Sequence, residues 1–227
     1  HELPNLEGFN FGARLIPARS VGGDFYGFVP LDDDRLGIML GDVTDKGVPA
    51  ALFMAQVHAY LTAEAERGLS PGEVLSRVNW HLMRKSDHGL FVTVVYGVLD
   101  RRAHQFTYAR AGHDLPVLHL TGAQPVLAPR GTGQPLGLFT KPLLDEQTIP
   151  LAAGSSILLY TDGITEQRGV EGEFFGAQRL LATVGRAAGL AGEDLCAHLL
   201  QEVQAYLRSA PQDDDLTLLA IQANAAG

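Results

Sequence analysis

Cysteine is nearly absent. Cys196 is the only one in 227 residues, so no disulfide can close within the chain and a reducing compartment is expected. It sits in a leucine-rich helical stretch without a phosphatase-type nucleophile loop around it, which fits a small buried hydrophobe. Basic charge is also scarce, with 17 Lys and Arg against 26 Asp and Glu and a formal net charge of -9. A nucleic-acid or anionic-membrane surface needs the opposite excess to displace counterions, so neither partner is expected, whereas acidic surplus suits cations. Long apolar runs are missing too: no stretch reaches the roughly 18 residues that span a bilayer, and no basic segment followed by an apolar one opens the chain. A cytoplasmic protein is expected. Because the numbering starts at His1 rather than Met, the chain is expected to be a piece of a longer protein with a regulatory sensor or linker upstream.

Several catalytic signatures are absent as well. There is no Gly-x-Ser-x-Gly elbow. The run from Gly41 to Gly47 is no phosphate-binding loop, since Lys46 precedes the last glycine and two aspartates would repel nucleotide phosphates. Gly131 to Gly137 misses the dinucleotide spacing and has Pro135 where a helix should begin.

What is present is a 46% hydrophobic chain with no repeat, low-complexity block or linker, which predicts one domain over residues 1–227. Strand-like runs occupy residues 9–17 and 24–30, and 35–43 is apolar enough to be covered on both faces. Pro49 suits the first turn of a helix in which Leu52, Ala55 and Ala59 form one stripe and Phe53, Val57, Tyr60 and Leu61 another, predicting burial on two sides. Ser70-Pro71-Gly72-Glu73 is a capping box that opens a second helix with Leu75, Val78 and Leu82 inward. Residues 91–99, 105–111 and 115–120 read as an antiparallel meander, 125–150 as a long ordered loop with short strands, and 156–161 as a buried strand. Helices over 176–188 and 193–209 and a last strand ending near residue 222 complete an α+β fold, a layered α-β-β-α sandwich.

Asp24, Asp42, Asp162 and Asp214 each flank such a β run. Singly, each has a plain reading: Asp24 a turn entering a strand, Asp162-Gly163 a hairpin turn, Asp213-Asp214-Asp215 a solvated acidic run. Asp42 and Asp45, close together after a buried strand, are costly unless solvated or neutralised. A sheet that brought these carboxylates together would need cations, and an all-oxygen set favours Mg²⁺ or Mn²⁺ over Zn²⁺ or copper. Two such ions about 4 Å apart can activate a bridging water and clamp a phosphoryl oxygen for in-line attack. Hydrolytic phosphoryl transfer is the reaction class this predicts.

Five motifs occur in order: Val21-Gly-Gly-Asp-Phe-Tyr26, Gly41-Asp-Val-Thr-Asp-Lys-Gly-Val-Pro-Ala-Ala-Leu52, Ala111-Gly-His-Asp114, Tyr160-Thr-Asp-Gly-Ile-Thr-Glu166 and Asp214-Asp-Leu-Thr217. Together they resemble the bacterial PPM-type metal-dependent serine/threonine protein phosphatases of the SpoIIE/RsbU class, over about residues 9–222. The Gly-Gly-Asp of the first is shared with diguanylate cyclases, but their Glu is missing and almost none of a cyclase domain could precede it.

The resemblance implies a two-metal site at one end of a central β-sandwich. Asp42 would bridge both ions and act through the water between them; Asp24 and the backbone carbonyl of Val43 would hold one ion, Asp162 and Asp214 the other. Asp215 is expected to support these ligands and His113 to be a structural histidine tied to a loop backbone. Arg19 and Lys46 are the expected phosphate contacts, since a dianion near carboxylates needs a cation. The chain departs from the family pattern where Gly27 replaces an Asp, Thr44-Asp45 replaces Ser-Gly, and Asp114 replaces Asn. Gly27 predicts a loosened contact behind the ligands, and Asp45 a carboxylate that binds metal or repels phosphate. The implied substrate is a phosphorylated STAS-domain anti-anti-sigma protein, and a homodimer is admitted. The alternative, resting on Gly27 and Asp45, is a phosphatase-like binding or regulatory module with little or no turnover.

Overall fold

The computed structural model describes residues 2–84, 89–190 and 192–224. In chain order the elements are β1 (Phe9–Ile16), β2 (Phe25–Pro30), β3 (Arg35–Val43), α1 (Val48–Ala65), α2 (Pro71–Met83), β4 (Val92–Asp100), β5 (Gln105–Ala111), β6 (Val117–His119), β7 (Val126–Leu127), β8 (Asp145–Pro150), β9 (Ser156–Tyr160), α3 (Asp162–Thr165), α4 (Gly176–Arg186), α5 (Gly192–Leu207) and β10 (Leu216–Ala223). The strands form two antiparallel five-stranded sheets, and the chain divides into two units along them.

One unit, Arg19–His113 with Arg130–Pro150, holds the sheet β2-β3-β4-β5-β8 and helices α1 and α2. Alternation along the strands sets Phe25, Val29, Met39, Val43, Val94 and Tyr96 against Val57 and Leu61 of α1 and Val74, Leu75, Val78 and Leu82 of α2. Each such side chain contributes about 1.5–3 kcal/mol by leaving water. Leu36, Ile38 and Leu40, which alternate with these along β3, are buried as well, so this interior strand is covered on both faces, as its apolar run predicts. The capping box forms: Ser70 Oγ accepts the Glu73 N–H at 3.4 Å, and the Ser70 N–H donates to Glu73 Oε2 at 3.0 Å.

Two expectations are corrected here. Helix α1 is buried along Ala50, Val57, Leu61 and Ala65, but Leu52 of its other stripe is 68% exposed and Ala55 and Ala59 are exposed too. The stripes are alike in sequence because alanine and leucine tolerate either environment. The meander is also interrupted, since β6 pairs with β7 and β9, and β8 takes the place beside β5. Gly112, left-handed at φ 71°, and Pro116, which has no N–H to give a ladder, turn the chain away after β5.

The other unit, Glu2–Ala18, Asp114–Pro129 and the chain from Leu151 on, holds the sheet β1-β10-β9-β6-β7 and helices α3, α4 and α5. Its core joins Leu158, Tyr160, Leu216, Leu218 and Ala220 to Leu180 and Val184 of α4 and Leu195, Cys196, Leu199 and Val203 of α5. Helix α5 starts directly on β1: a Cβ at Gly12 would lie 2.1 Å from the Gly192 carbonyl carbon, so only glycine lets the two backbones approach this closely. Burial pushes the Cys196 thiol up to about 12, in keeping with a packing role. No helix among the described residues is long and apolar enough to cross a membrane.

Candidate metal centre

In the first unit the end of the β2–β3 pair carries the acidic groups. Pairing sets Phe25 opposite Gly41, and the same register continued one residue sets Asp24 opposite Asp42. The Val43 N–H donates to the Gly23 carbonyl at 3.4 Å, closing the pair beyond the strand. Gly23 is needed there: a Cβ would lie 2.8 Å from the Val43 carbonyl oxygen and 3.3 Å from Asp42 Oδ1. Gly41 is needed too, because the Phe25 ring covers it, with Cζ 2.7 Å from where a Cβ would be. The glycines of the first two motifs therefore let Asp24, Asp42 and the Val43 carbonyl share one strand end. Asp24 is buried at 4% exposure and Asp42 is half-buried, an environment in which like charges so close call for a counter-charge.

The β3–α1 loop explains one departure from the family pattern. Asp45 is left-handed, with φ 76°, and its Oδ1 accepts the Lys46 N–H at 2.8 Å. A position of that geometry suits glycine, and aspartate is among the few other residues that adopt it readily. Its conformation gives Asp45 a turn role. Thr44 fastens the same loop: its N–H donates to the Phe91 carbonyl at 3.0 Å and its Oγ1 accepts the Phe91 N–H at 3.1 Å. Lys46 and Arg19, the expected phosphate contacts, are both exposed.

At Gly27 the space of the usual Asp side chain is taken from helix α1, since a Cβ would lie 2.7 Å from His58 Nε2. His58 fills that space.

In the second unit, β9 runs into Asp162, which opens helix α3 instead of forming the simple hairpin turn. Gly163 packs on the strand entering from the other side: a Cβ there would lie 1.8 Å from the Asp215 carbonyl oxygen and 3.5 Å from Asp214 Cβ. Asp162 and Asp214 are thus brought together. Asp215 is buried, and its Oδ1 accepts the Ala18 N–H at 2.8 Å. Asp114 has its charge near the Tyr160 phenol, which burial first and this carboxylate second hold far above its ordinary value.

Two side chains that the motifs did not disclose hold the backbone at Asp214. Gln167, fully buried, donates from Nε2 to the Asp214 carbonyl at 3.4 Å and accepts the Asp213 N–H at 3.2 Å. Gln212 Nε2 donates to the Asp214 carbonyl at 2.8 Å and the Ile16 carbonyl at 2.9 Å. Gln167 lies one residue past the Tyr160–Glu166 motif, and Gln212 just before the acidic run, which is the signal that could have found them. His113 is buried, and its ring reaches a side chain of β4: Nδ1 is 2.9 Å from Thr93 Oγ1.

Among the described residues, no group of three or more His, Cys, Asp or Glu side chains forms a metal-holding cluster. Each unit supplies two of the expected carboxylates, all oxygen donors, and the glycine-lined approach at Gly23 adds a backbone carbonyl. This donor set fits a hard divalent ion.

The family described as Stage II sporulation protein E (SpoIIE) matches residues 32–224. Protein IcfG of Synechocystis is 31% identical over 98% of this chain and 39% of its own length. Phosphoserine phosphatase RsbU of Bacillus subtilis is 32% identical over 74% of this chain and 50% of its own. The chain thus spans between about two-fifths and half of these relatives. Among solved structures, the RsbU and RsbW domains of a Mycobacterium tuberculosis protein superpose with a TM-score of 0.80 at 29% identity, covering 99% of this chain and 62% of that one. The SiaA-PP2C domain of Pseudomonas aeruginosa gives 0.84 at 23% identity over 93% of this chain and 85% of that one, a likeness of fold. Two antiparallel sheets with helices are the architecture these structures share with it.

Proposed function

This chain belongs to the SpoIIE family, and from that premise we propose that it is a metal-dependent phosphatase that hydrolyses phosphoserine or phosphothreonine on a partner protein. The observation that carries the proposal is the shared strand end of Asp24, Asp42 and the Val43 carbonyl, kept open by Gly23. The likeness to RsbU, named a phosphoserine phosphatase, supports the same reading. In it, Asp24, Asp42 and the Val43 carbonyl would hold one Mn²⁺ or Mg²⁺, and Asp162 and Asp214 would hold a second. Bound there, two divalent ions would supply a water acidic enough to attack phosphorus and positive charge for the phosphoryl oxygens.

The chain's own residues then have separable tasks. Asp42 would hold the metal that activates the attacking water. Lys46 and Arg19, exposed at the loops beside β3 and β2, meet the substrate phosphate by charge-assisted hydrogen bonds. Gln167 and Gln212 keep the Asp214 backbone in place through turnover. The substrate we propose is a phosphorylated STAS-domain protein in a cytoplasmic partner-switching pathway, with the rest of a longer protein supplying the signal; the pairing of RsbU and RsbW domains in one Mycobacterium tuberculosis protein favours such a setting.

Phosphate release from a phosphoserine protein in Mn²⁺ tests the activity. The wild-type chain should release phosphate, and Asp42→Ala should be slower by at least about a hundredfold, as loss of a developing-charge stabiliser commonly costs. Equal rates in the two would end the catalytic reading.

A further inference from the structure

We propose that Thr93 and His113 are positioning residues for Asp42, and that the buried Arg110–Asp145 ion pair exists to hold His113 in place. The proposal rests on the reading of Asp42 as a metal ligand and extends it to side chains outside the expected ligand set.

Thr93 is the cross-strand partner of Asp42 in the β3–β4 ladder, and directly opposed residues of an antiparallel pair project from the same face. The His113 ring reaches that threonine, Nδ1 to Oγ1 at 2.9 Å, and is 4% exposed. It gets there because Gly112 is left-handed and forms a bridge to Val94, folding the chain after β5 back over β4.

Arg110 secures the turn. Its Nη1 donates to the His113 carbonyl at 2.6 Å, and its Nη2 to the Gly131 carbonyl at 2.8 Å and to Asp145 Oδ2 at 3.2 Å. Arg110 is 7% exposed and Asp145 9%. A buried ion pair gives little net stability over apolar residues of the same size. Its donors here are directed at the two backbone segments flanking His113 and Gly131, which is what a device for fixing a loop requires.

The chemistry at the end of this relay is specific. A carboxylate that must hold one rotamer beside another carboxylate benefits from a donor facing it. With Nδ1 protonated, His113 donates to Thr93 Oγ1 and leaves the hydroxyl proton to turn toward the face that carries Asp42. Thr93 then orients a ligand in the way that hydrogen-bonded partners of metal ligands do.

The test is Mn²⁺ titration of the full chain by calorimetry, with the melting temperature recorded with and without metal. Thr93→Val, nearly isosteric, should weaken Mn²⁺ binding by about tenfold or more, while its metal-free melting temperature stays near wild type. Thr93→Ser, which keeps the hydroxyl, should restore the affinity. His113→Asn, which keeps a donor at the Nδ1 position, should bind better than His113→Leu. Wild-type affinity in Thr93→Val would overturn the proposal, and so would equal weakening in Thr93→Val and Thr93→Ser, since packing rather than the hydroxyl would then be at work. Asp42→Asn separates the two levels: if it binds Mn²⁺ like wild type, or wild type binds none, the metal-site reading fails and takes this one with it. If Asp42→Asn loses binding and Thr93→Val does not, only the positioning role is lost.

Discussion

Single residues fix what this chain can do. Burial holds the Cys196 thiol near pKa 12, so at pH 8 it should stay unreacted with a thiol reagent in the native state and react fully in denaturant; labelling of native protein at the denatured rate would contradict its place in the core. His58, set over Gly27, has its imidazole below the ordinary value of 6.5 because burial disfavours its charged form. The unfolded chain therefore takes up a proton near pH 6.5 that the native one refuses, so the contribution of His58 to stability is complete above that pH and lost as pH falls toward the folded value. Urea melts at pH 7 and pH 5 should show a smaller loss in His58→Gln than in wild type. Gly163 is the sharpest steric case, with the Asp215 carbonyl oxygen 1.8 Å from where a Cβ would stand. Gly163→Ala should push the Asp214 backbone away and weaken Mn²⁺ binding by more than about tenfold, by analogy with other losses of ligand support.

Elements differ in how openly they announce themselves. Helix α2 carries its own start signal, so Ser70→Ala should cost about 1 kcal/mol in a thermal melt and leave phosphate release per folded molecule unchanged. That signal is local, and local signals were legible: strand β3 matches its apolar run residue for residue, and the box at Ser70 forms as written. Signals that depend on distant partners were not. Residues 115–120 have the rhythm of a third meander strand, yet β6 pairs in the other sheet, because pairing is decided by which edge is available and not by alternation. The Leu52 stripe of α1 likewise has the pattern of a buried face and is exposed, since periodicity marks a face without saying whether anything covers it.

At the scale of the whole molecule, a net charge of -9 with carboxylates at strand ends favours cations over anions as partners. The candidate ligands were legible because five motifs recur in order, and Asp24 with Asp42, and Asp162 with Asp214, are paired within their units. Gln167, Gln212 and Thr93 were not legible, because a hydrogen bond to a ligand's backbone or to the residue behind it leaves no spacing rule in sequence. Metal bound to the folded state alone raises stability, the more so for carboxylates that repel when empty, so millimolar Mn²⁺ should raise the melting temperature of wild type and not of Asp42→Asn. The most direct measurement is anomalous diffraction from crystals soaked in Mn²⁺. A peak contacting Asp24, Asp42 and the Val43 carbonyl and a peak contacting Asp162 and Asp214 are the predicted result; crystals with manganese elsewhere and none at Asp42 would contradict it.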